Sequence, residues 1–145
     1  SIHPMDSWSK YGGVVDMEKV EEARSVLIRS NEINQMMKVV GEEGTSEEDY
    51  ITYQKGELLD AIYLQQNSFD PIDEACSPER QQIEFALIYD ILTTDYDIQD
   101  KKEIRSFFNQ LRQELLDWHG CVFEKPEFEA QKDKIAEFYK TKAVG

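Results

Sequence analysis

The residue types that could bind a ligand lie together near residue 65, where the sequence predicts the end of a helix. Gln65 and Gln66 supply side-chain amides, which can hydrogen-bond a planar polar ligand, and Phe69 supplies a ring that can stack on one. On spacing alone, the simpler interpretation is a polar helix end with Phe69 as one core anchor. Both interpretations require a helix that ends close to Pro71, because the residue before a proline is restricted away from helical angles.

A cluster of carboxylates precedes this helix. It comprises Glu42, Glu43, Glu47, Glu48 and Asp49. Ser46 is placed to cap the helix, Asp49 follows it three residues later as in a capping box, and acidic residues in a first turn complement the helix dipole. These carboxylates therefore have a structural explanation, capping and solvation, beside any contact with a basic partner.

The motifs of self-contained catalysis are missing from the sequence. It contains no Gly-x-x-x-x-Gly-Lys-Ser/Thr phosphate loop and no Gly-x-Gly-x-x-Gly turn. The two histidines, His3 and His119, form no metal-binding pair, and His119 is better explained as the C-terminal residue of a helix, where the dipole favours it. We therefore predict no catalytic residue and no metal site in this chain.

The composition restricts the possible partners. The chain has 145 residues, of which 30 are acidic and 16 basic, and its formal net charge is -14. This charge repels phosphate backbones, which argues against nucleic-acid binding, and it favours a basic protein partner. No run of residues is apolar enough to cross a membrane, and the first fifteen residues show no signal-peptide pattern. Cys76 and Cys121 form no metal or disulfide pattern, so we expect reduced thiols in a cytoplasmic protein.

Helical periodicity organises most of the chain. We predict an all-α domain over residues 16–145, preceded by a linker or extended arm at residues 1–15. The predicted bundle has about five helices, near 16–40, 47–66, 78–94, 100–120 and 126–142. The apolar pattern of the first helix runs to Val40, and Gly41 is expected to end it. Gly56 lies inside the second helix, where it costs about 1 kcal/mol relative to alanine and allows a neighbour to approach closely.

Several segments of the sequence resemble a known family. Residues 64–70, Leu-Gln-Gln-Asn-Ser-Phe-Asp, contain the whole Leu-Gln-Gln-Asn-x-Phe-Asp motif, and residues 73–81 resemble Asp-x-x-Cys-x-Pro-Glu-Lys-Gln, with Arg80 replacing the lysine. Residues 37–49 are similar to that family's helix, glycine and acidic turn. Residues 7–11 resemble the Ser-Tyr/Trp-Ser-x-Tyr phrase that follows its nucleotide-binding domain. The chain therefore resembles the C-terminal helical domain of the catalytic A subunit of vacuolar-type and archaeal-type rotary ATPases.

The resemblance implies roles for both groups of polar residues. Phe69 would pack against the adenine of ATP or ADP, and Gln65 and Gln66 would border that pocket. The central rotor would be contacted by the acidic turn, that is by Glu42, Glu43, Glu47, Glu48 and Asp49. One helix would then connect the adenine contact to the rotor contact.

The resemblance also implies the surroundings of the domain. An upstream domain would hold most of the nucleotide and its Mg, so the excised C-terminal domain is expected to be inactive and to bind ATP weakly or not at all. The subunit would alternate with B subunits in an A3B3 ring around a rotor stalk, on the cytoplasmic face of a bacterial membrane across which protons or sodium ions are moved. No motif from Tyr96 onward matches the family. A free-standing acidic helical adaptor that binds a basic partner is the alternative.

Overall fold

The computed structural model describes residues 17–69, 78–121 and 125–144, most of which are helical. The described helices are α1 Met17–Val40, α2 Glu47–Phe69, α3 Pro78–Thr93, α4 Lys101–His119 and α5 Pro126–Lys140. The predicted all-α bundle of about five helices is confirmed, and an isolated bridge between Tyr96 and Ala143 is the single β feature of these residues. The arm predicted at residues 1–15 lies outside the described part of the chain.

Local sequence signals set the boundary between α1 and α2. Gly41 has a φ of 83°, a left-handed conformation that glycine adopts without steric cost, and its N–H donates to Met37 O at 2.8 Å. Ser46 Oγ accepts a hydrogen bond from the Asp49 N–H at 3.1 Å. The predicted glycine stop and serine cap are therefore both confirmed.

The helix ends agree with the predictions to within a few residues. α2 runs to Phe69 rather than to Gln66, because the restriction that Pro71 imposes applies to the residue directly before it and leaves Phe69 able to be helical. Gly120 follows the last residue of α4 as expected, and its N–H donates to Leu116 O at 3.2 Å. Local signals thus fix where the helices begin and end.

α1 and α2 form an antiparallel hairpin with one very close approach between them. A Cβ on Gly56 of α2 would overlap the side chain of Ser30 on α1. Ser30 Oγ also donates to Tyr53 O at 2.9 Å. The close approach expected at Gly56 is confirmed, and it fixes the two helices relative to each other near their midpoints.

The other helices complete a core on this hairpin. α4 lies against α2, α5 against α4, and α3 against α1. The rings of Tyr96, Phe107 and Phe108 meet at tilted and edge-on angles with centroids 5.1 to 5.7 Å apart. Trp118 Nε1 donates to Phe128 O at 3.1 Å and so joins α4 to α5. Buried aliphatic members of this core include Val20, Leu27, Leu58, Leu59, Ile62, Ile88, Ile91, Ile104, Leu111, Leu115 and Ile135.

Candidate functional site

The residues predicted to border an adenine pocket lie at the C-terminal end of α2. Gln65, Gln66 and Phe69 all belong to its last two turns. Their side chains lie outside the described part of the structure, as does the segment 70–77. Their role in nucleotide binding therefore stays a prediction.

The acidic turn is a short connection that is stabilised by hydrogen bonds between its own residues. The Gly44 N–H donates to Gly41 O at 3.2 Å, and the Thr45 N–H donates to Glu42 O at 3.1 Å. The Thr45 side chain is buried, and its Oγ1 donates to Gly41 O at 3.1 Å. The exposed carboxylates of the turn are those of Glu42, Glu43, Glu47 and Glu48, whereas Asp49 is half-buried. The turn thus presents carboxylates to solvent on a backbone that is well fixed.

Arg105 of α4 makes a short ion pair with this turn. Its Nη2 lies 2.6 Å from Glu42 Oε1, and its Nε donates to Tyr50 OH at 3.3 Å. The hydrogen bond with Tyr50 and the neighbouring Glu42 charge raise the pKa of the Arg105 guanidinium. α4 therefore contacts the connection through Glu42 and the start of α2 through Tyr50.

Two more basic residues approach the turn at longer distances. Lys101 Nζ of α4 lies 4.0 Å from Glu47 Oε2. Arg29 Nη2 of α1 lies 3.7 Å from Asp49 Oδ1. Cations from two helices thus flank the acidic cluster on either side.

These ion pairs divide the acidic cluster into two groups. Glu42, Glu47 and Asp49 each face a cation of this chain. Glu43 and Glu48 have no ion pair among the residues that the structure describes. Two of the five predicted contact residues therefore have carboxylates that are available to a partner, and the other three also help to position the turn.

Sequence analysis did not find these basic partners. Arg105 and Glu42 are 63 residues apart in the chain, and only the packing of α4 on α2 brings them together. One signal was present, since Lys101 and Arg105 are spaced i, i+4 and so form a basic edge on one face of α4. That spacing does not predict which surface of the domain the basic edge faces.

The structure exposes apolar residues at the end of α1 that the periodic pattern did not mark as exposed. Val40 belongs to the apolar pattern that predicts this helix, yet its side chain is half exposed, and Met36 and Val39 are exposed as well. Met37 packs against the core. The apolar pattern therefore continues past the core, because no described helix covers the last turn of α1.

Comparison with protein families identifies the family to which the chain belongs. A family model described as the C-terminal domain of V and A type ATP synthase matches residues 17–108. The chain belongs to this family. The matched range contains α1, the acidic turn, α2, α3 and the first part of α4, which includes both Lys101 and Arg105.

Relatives align with nearly the whole chain. The V-type ATP synthase alpha chain of Borrelia turicatae is 52% identical over 144 residues, and that of Borreliella burgdorferi is 51% identical over 144 residues. Each alignment covers 99% of this chain and 25% of the relative, so the chain spans about a quarter of the length of these relatives. The similarity thus continues beyond Tyr96, where no motif had been matched. No solved structure matches the chain.

A cleft of about 610 Å³ lies beside the family's helical hairpin, between the first turns of α2 and the segment 95–99, with Val144 at its edge. Lys55 Nζ donates to Thr94 O at 2.7 Å and lies 5.3 Å from the centre of the Tyr96 ring. Burial lowers the pKa of the Lys55 ammonium. The amine is engaged by these contacts, so its role is to join α2 to the segment that follows α3.

A buried polar cluster joins α3 to the end of α4. Arg80 Nε lies 2.7 Å from Glu84 Oε2, and Arg80 Nη2 donates to His119 O at 2.7 Å. The guanidinium also lies 5.3 Å from the centre of the Phe128 ring. His119 is the last residue of α4, as predicted, and its Nδ1 is 3.6 Å from Glu84 Oε2. This cluster is a structural junction between α3 and the end of α4 in this chain.

The described residues contain neither a cluster of metal-binding side chains nor a membrane-spanning helix. No group of three or more histidine, cysteine or acidic side chains is arranged to hold a metal ion within 17–69, 78–121 and 125–144. No helix in the same ranges is long and apolar enough to cross a membrane.

Proposed function

We propose that the chain forms the C-terminal helical domain of the catalytic A subunit of a V-type rotary ATPase or ATP synthase that moves ions across a membrane. The names and the 51–52% identity of the relatives support this function. The observation that carries the proposal is α2, one continuous helix of 23 residues with the acidic turn at its start and Phe69 at its end. At 1.5 Å per residue such a helix spans about 34 Å, which is long enough to connect two separate sites.

At the C-terminal end of α2, Phe69 packs against the adenine ring of ATP or ADP, and Gln65 and Gln66 border the pocket. A phenyl ring stacks on a flat base, and side-chain amides can satisfy its polar edge. The phosphates and Mg are held by an upstream domain with a phosphate loop. The domain alone therefore binds nucleotide weakly and has no activity of its own.

At the other end of the hairpin, the acidic turn contacts the central rotor stalk. The contact residues are Glu42, Glu43, Glu47, Glu48 and Asp49. Glu43 and Glu48 are the members most available for this contact, because the other three face cations of this chain. A movement of α2 that accompanies nucleotide exchange is thereby passed to the rotor through a rigid helix pair.

The assembly that fits these roles is an alternating A3B3 ring on the cytoplasmic face of a membrane. Each catalytic subunit lies between two B subunits, and the C-terminal domains surround the rotor. The proposal predicts protein partners, in agreement with a net charge of -14, which disfavours direct contact with nucleic acid or with an anionic membrane surface.

The adenine contact is tested by Phe69→Ala in the assembled complex. We expect ATP affinity to fall about ten-fold, with loss of the preference for adenine over guanine nucleotides, because the ring no longer stacks on the base. Asn67→Ala, two residues away on the same helix, is the control and is expected to keep both properties. Unchanged affinity and unchanged base preference in Phe69→Ala would contradict the assignment.

The rotor contact is tested by deleting residues 42–45. We expect ATP hydrolysis to continue and ATP-driven ion pumping to be lost, since the end of the hairpin no longer reaches the rotor. The double substitution Glu43→Gln and Glu48→Gln keeps the shape of the turn and is expected to lower pumping less. Full coupled pumping in the deletion variant would exclude the rotor contact.

A further inference from the structure

The end of α3 differs from the ends of α1 and α4 in how its carbonyls are satisfied. α1 and α4 are followed by glycines, Gly41 and Gly120, whose N–H groups donate to carbonyls of their own helices. α3 is followed instead by Thr94 and Asp95. Since the last four carbonyls of a helix have no partner within it, the donors that reach them show what this helix end is attached to.

Side chains supply the donors at the end of α3, two from nearby in the chain and one from α2. Thr94 Oγ1 donates to Asp90 O at 2.6 Å, and Tyr96 OH donates to Ile91 O at 2.9 Å. Lys55 Nζ of α2 donates to Thr94 O at 2.7 Å. A cation at the C-terminal end of a helix also interacts favourably with the helix dipole. Lys55 therefore attaches the end of α3 directly to α2.

This attachment lies at the level of α2 where α1 also approaches most closely. A Cβ on Gly56, the next residue, would overlap Ser30 of α1, and Ser30 Oγ donates to Tyr53 O at 2.9 Å. α1 and α3 are thus both attached to α2 within one helical turn. Lys55 is about 12 Å from the first residue of α2 and about 21 Å from the last. We call Lys55 and Gly56 the anchor of α2.

Stability alone is a poor explanation for a lysine at the anchor. Lys55 is only 8% exposed, and lysine is rarely buried without an anionic partner. One carbonyl and one aromatic ring, that of Tyr96 at 5.3 Å, offset only part of the cost of removing the ammonium from water. An apolar residue could fill the same space. A hydrogen bond to a single carbonyl does what apolar contact cannot, because it fixes the position of α3 along α2 and around it.

We propose that Lys55 is a positioning residue for the coupling of ATP hydrolysis to ion pumping, because it makes α1, α2 and α3 move as one body. This inference rests on the proposed function, in which α2 passes movement from one of its ends to the other. If only Gly56 fixed α2, the helix would be held to α1 and would be free to slide against α3, as packed helices do in shear motions. Attachment to two helices at one level prevents this sliding.

The ratio of ion pumping to ATP hydrolysis in the assembled complex tests this role. Lys55→Met keeps the apolar stem and removes the donor, and Lys55→Gln keeps a donor that is too short to reach Thr94 O. In both variants we expect the ratio to fall about three-fold, with hydrolysis changed less than about two-fold, as the loss of one hydrogen bond would give. Lys55→Arg can donate to the same carbonyl, and its larger head group can occupy the neighbouring cleft of about 610 Å³, so it should restore the ratio.

Tyr139→Phe is the matched control, because it removes a hydrogen bond to the same end of α3 from a different helix. Tyr139 OH of α5 donates to Asp90 Oδ2, and Asp90 is exposed, so water solvates this carboxylate after the change. The link between α2 and α3 is untouched in this variant. We therefore expect its ratio of pumping to hydrolysis to be unchanged.

Hydrogen exchange in the same complexes measures the attachment itself. In Lys55→Met the amides of residues 92–97 should exchange about five-fold faster, because local opening of the α3 end no longer has to break the bond to Lys55. Lys55→Arg should keep this exchange slow.

The outcomes separate this inference from the function on which it rests. An unchanged ratio in Lys55→Met would overturn the positioning role, and unchanged exchange would overturn the attachment that the role requires. Loss of coupling in Tyr139→Phe equal to that in Lys55→Met would also overturn it, since any weakening of the α3 end would then be sufficient. Pumping that is lost on deletion of residues 42–45 and kept in Lys55→Met contradicts this inference alone, whereas full pumping in the deletion variant contradicts the proposed function.

Discussion

The acidic turn and the junction of α3 with α4 both carry short ion pairs, in opposite environments. At the turn, Arg105 and Glu42 lie 2.6 Å apart, and each side chain is nearly half exposed. At the junction, Arg80 and Glu84 lie 2.7 Å apart, and their side chains are 8% and 5% exposed. Water and salt screen the first pair, whereas breaking the second leaves a charge in the interior. Similar distances therefore have very different consequences for stability.

The difference divides the domain into a fixed part and an adjustable part. Arg80 also donates to His119 O, so the buried pair joins two helices of the core. A binding partner can rearrange the side chains of the ion pairs at the turn, because water solvates these exposed charges nearly as favourably as the pairing does. Hydrogen bonds within the turn hold its backbone, and the packing of Gly56 on Ser30 fixes the two helices that carry it. A rigid hairpin with adjustable surface charges agrees with the proposed contact of the acidic turn with a moving partner.

The largest effect that tests this comparison is expected from Arg80→Met, compared with Arg105→Met. Removing Arg80 leaves Glu84 buried without its main cation, so the free energy of unfolding should fall by about 3–5 kcal/mol. Removing Arg105 from the exposed pair should leave the unfolding midpoint essentially unchanged, because water replaces its contacts. Urea denaturation of the two variants and the unmodified chain measures both changes.

The paired substitution Arg80→Met with Glu84→Met is the control for this prediction. If the loss comes from the unpaired buried charge, the double variant should recover much of it, since an apolar pair of similar size is tolerated in place of a buried ion pair. Equal destabilisation by Arg80→Met and Arg105→Met would show that the two pairs do not differ as their burial indicates.

A smaller loss of stability is expected from Gly56→Ala, which tests whether the close approach of α1 and α2 fixes the hairpin. The added Cβ would overlap Ser30, so α1 and α2 must separate, at a cost of about 1–3 kcal/mol. Urea denaturation measures this cost. Gly120→Ala is the matched control, because the nearest atom to a Cβ there is 3.5 Å away. Combining Gly56→Ala with Ser30→Gly should relieve the overlap, and a Gly56→Ala variant as stable as the Gly120→Ala control would exclude the close approach.

The parts of this fold that were predictable from sequence are those with local causes. Gly41 and Ser46 act within a few residues of their own positions, so the end of α1 and the cap of α2 could be predicted and are confirmed. The close approach at Gly56 was expected because glycine inside a helix is costly unless a neighbour needs the space. The whole-chain alignments also support the family predicted from the motifs.

The parts that were missed have causes that are distant in the sequence. Arg105 reaches Glu42 across 63 residues, and nothing near either residue predicts that contact. The exposure of Val40 was missed because periodicity reports which residues share a face and carries no information on where the covering helix stops. The proposed roles of Gln65 and Phe69 involve a domain outside this chain, so they stay predictions.

The smallest effect concerns Lys55, a buried cation that has a carbonyl partner and no carboxylate within ion-pair distance among the described residues. Burial lowers its pKa below the usual 10.5, so the protonated form costs the folded state stability. As pH rises from that lowered pKa toward 10.5, the folded chain releases this proton before the unfolded chain does. The free energy of unfolding should therefore rise with pH in this window, relative to the Lys55→Met variant.

Urea denaturation of both chains between about pH 8 and pH 10.5 measures this difference. Subtracting the two curves removes the contributions of Tyr96 and Tyr139, whose pKa values burial raises and which oppose the trend at the alkaline end. Lys38→Met removes an exposed lysine from the end of α1 and controls for the loss of one positive charge. A difference that stays constant or falls with pH would mean that the contact with Thr94 O and the Tyr96 ring favours the ammonium more than burial disfavours it. Lys55 would then stabilise the folded domain through these two contacts, although its ammonium is buried without a carboxylate partner among the described residues.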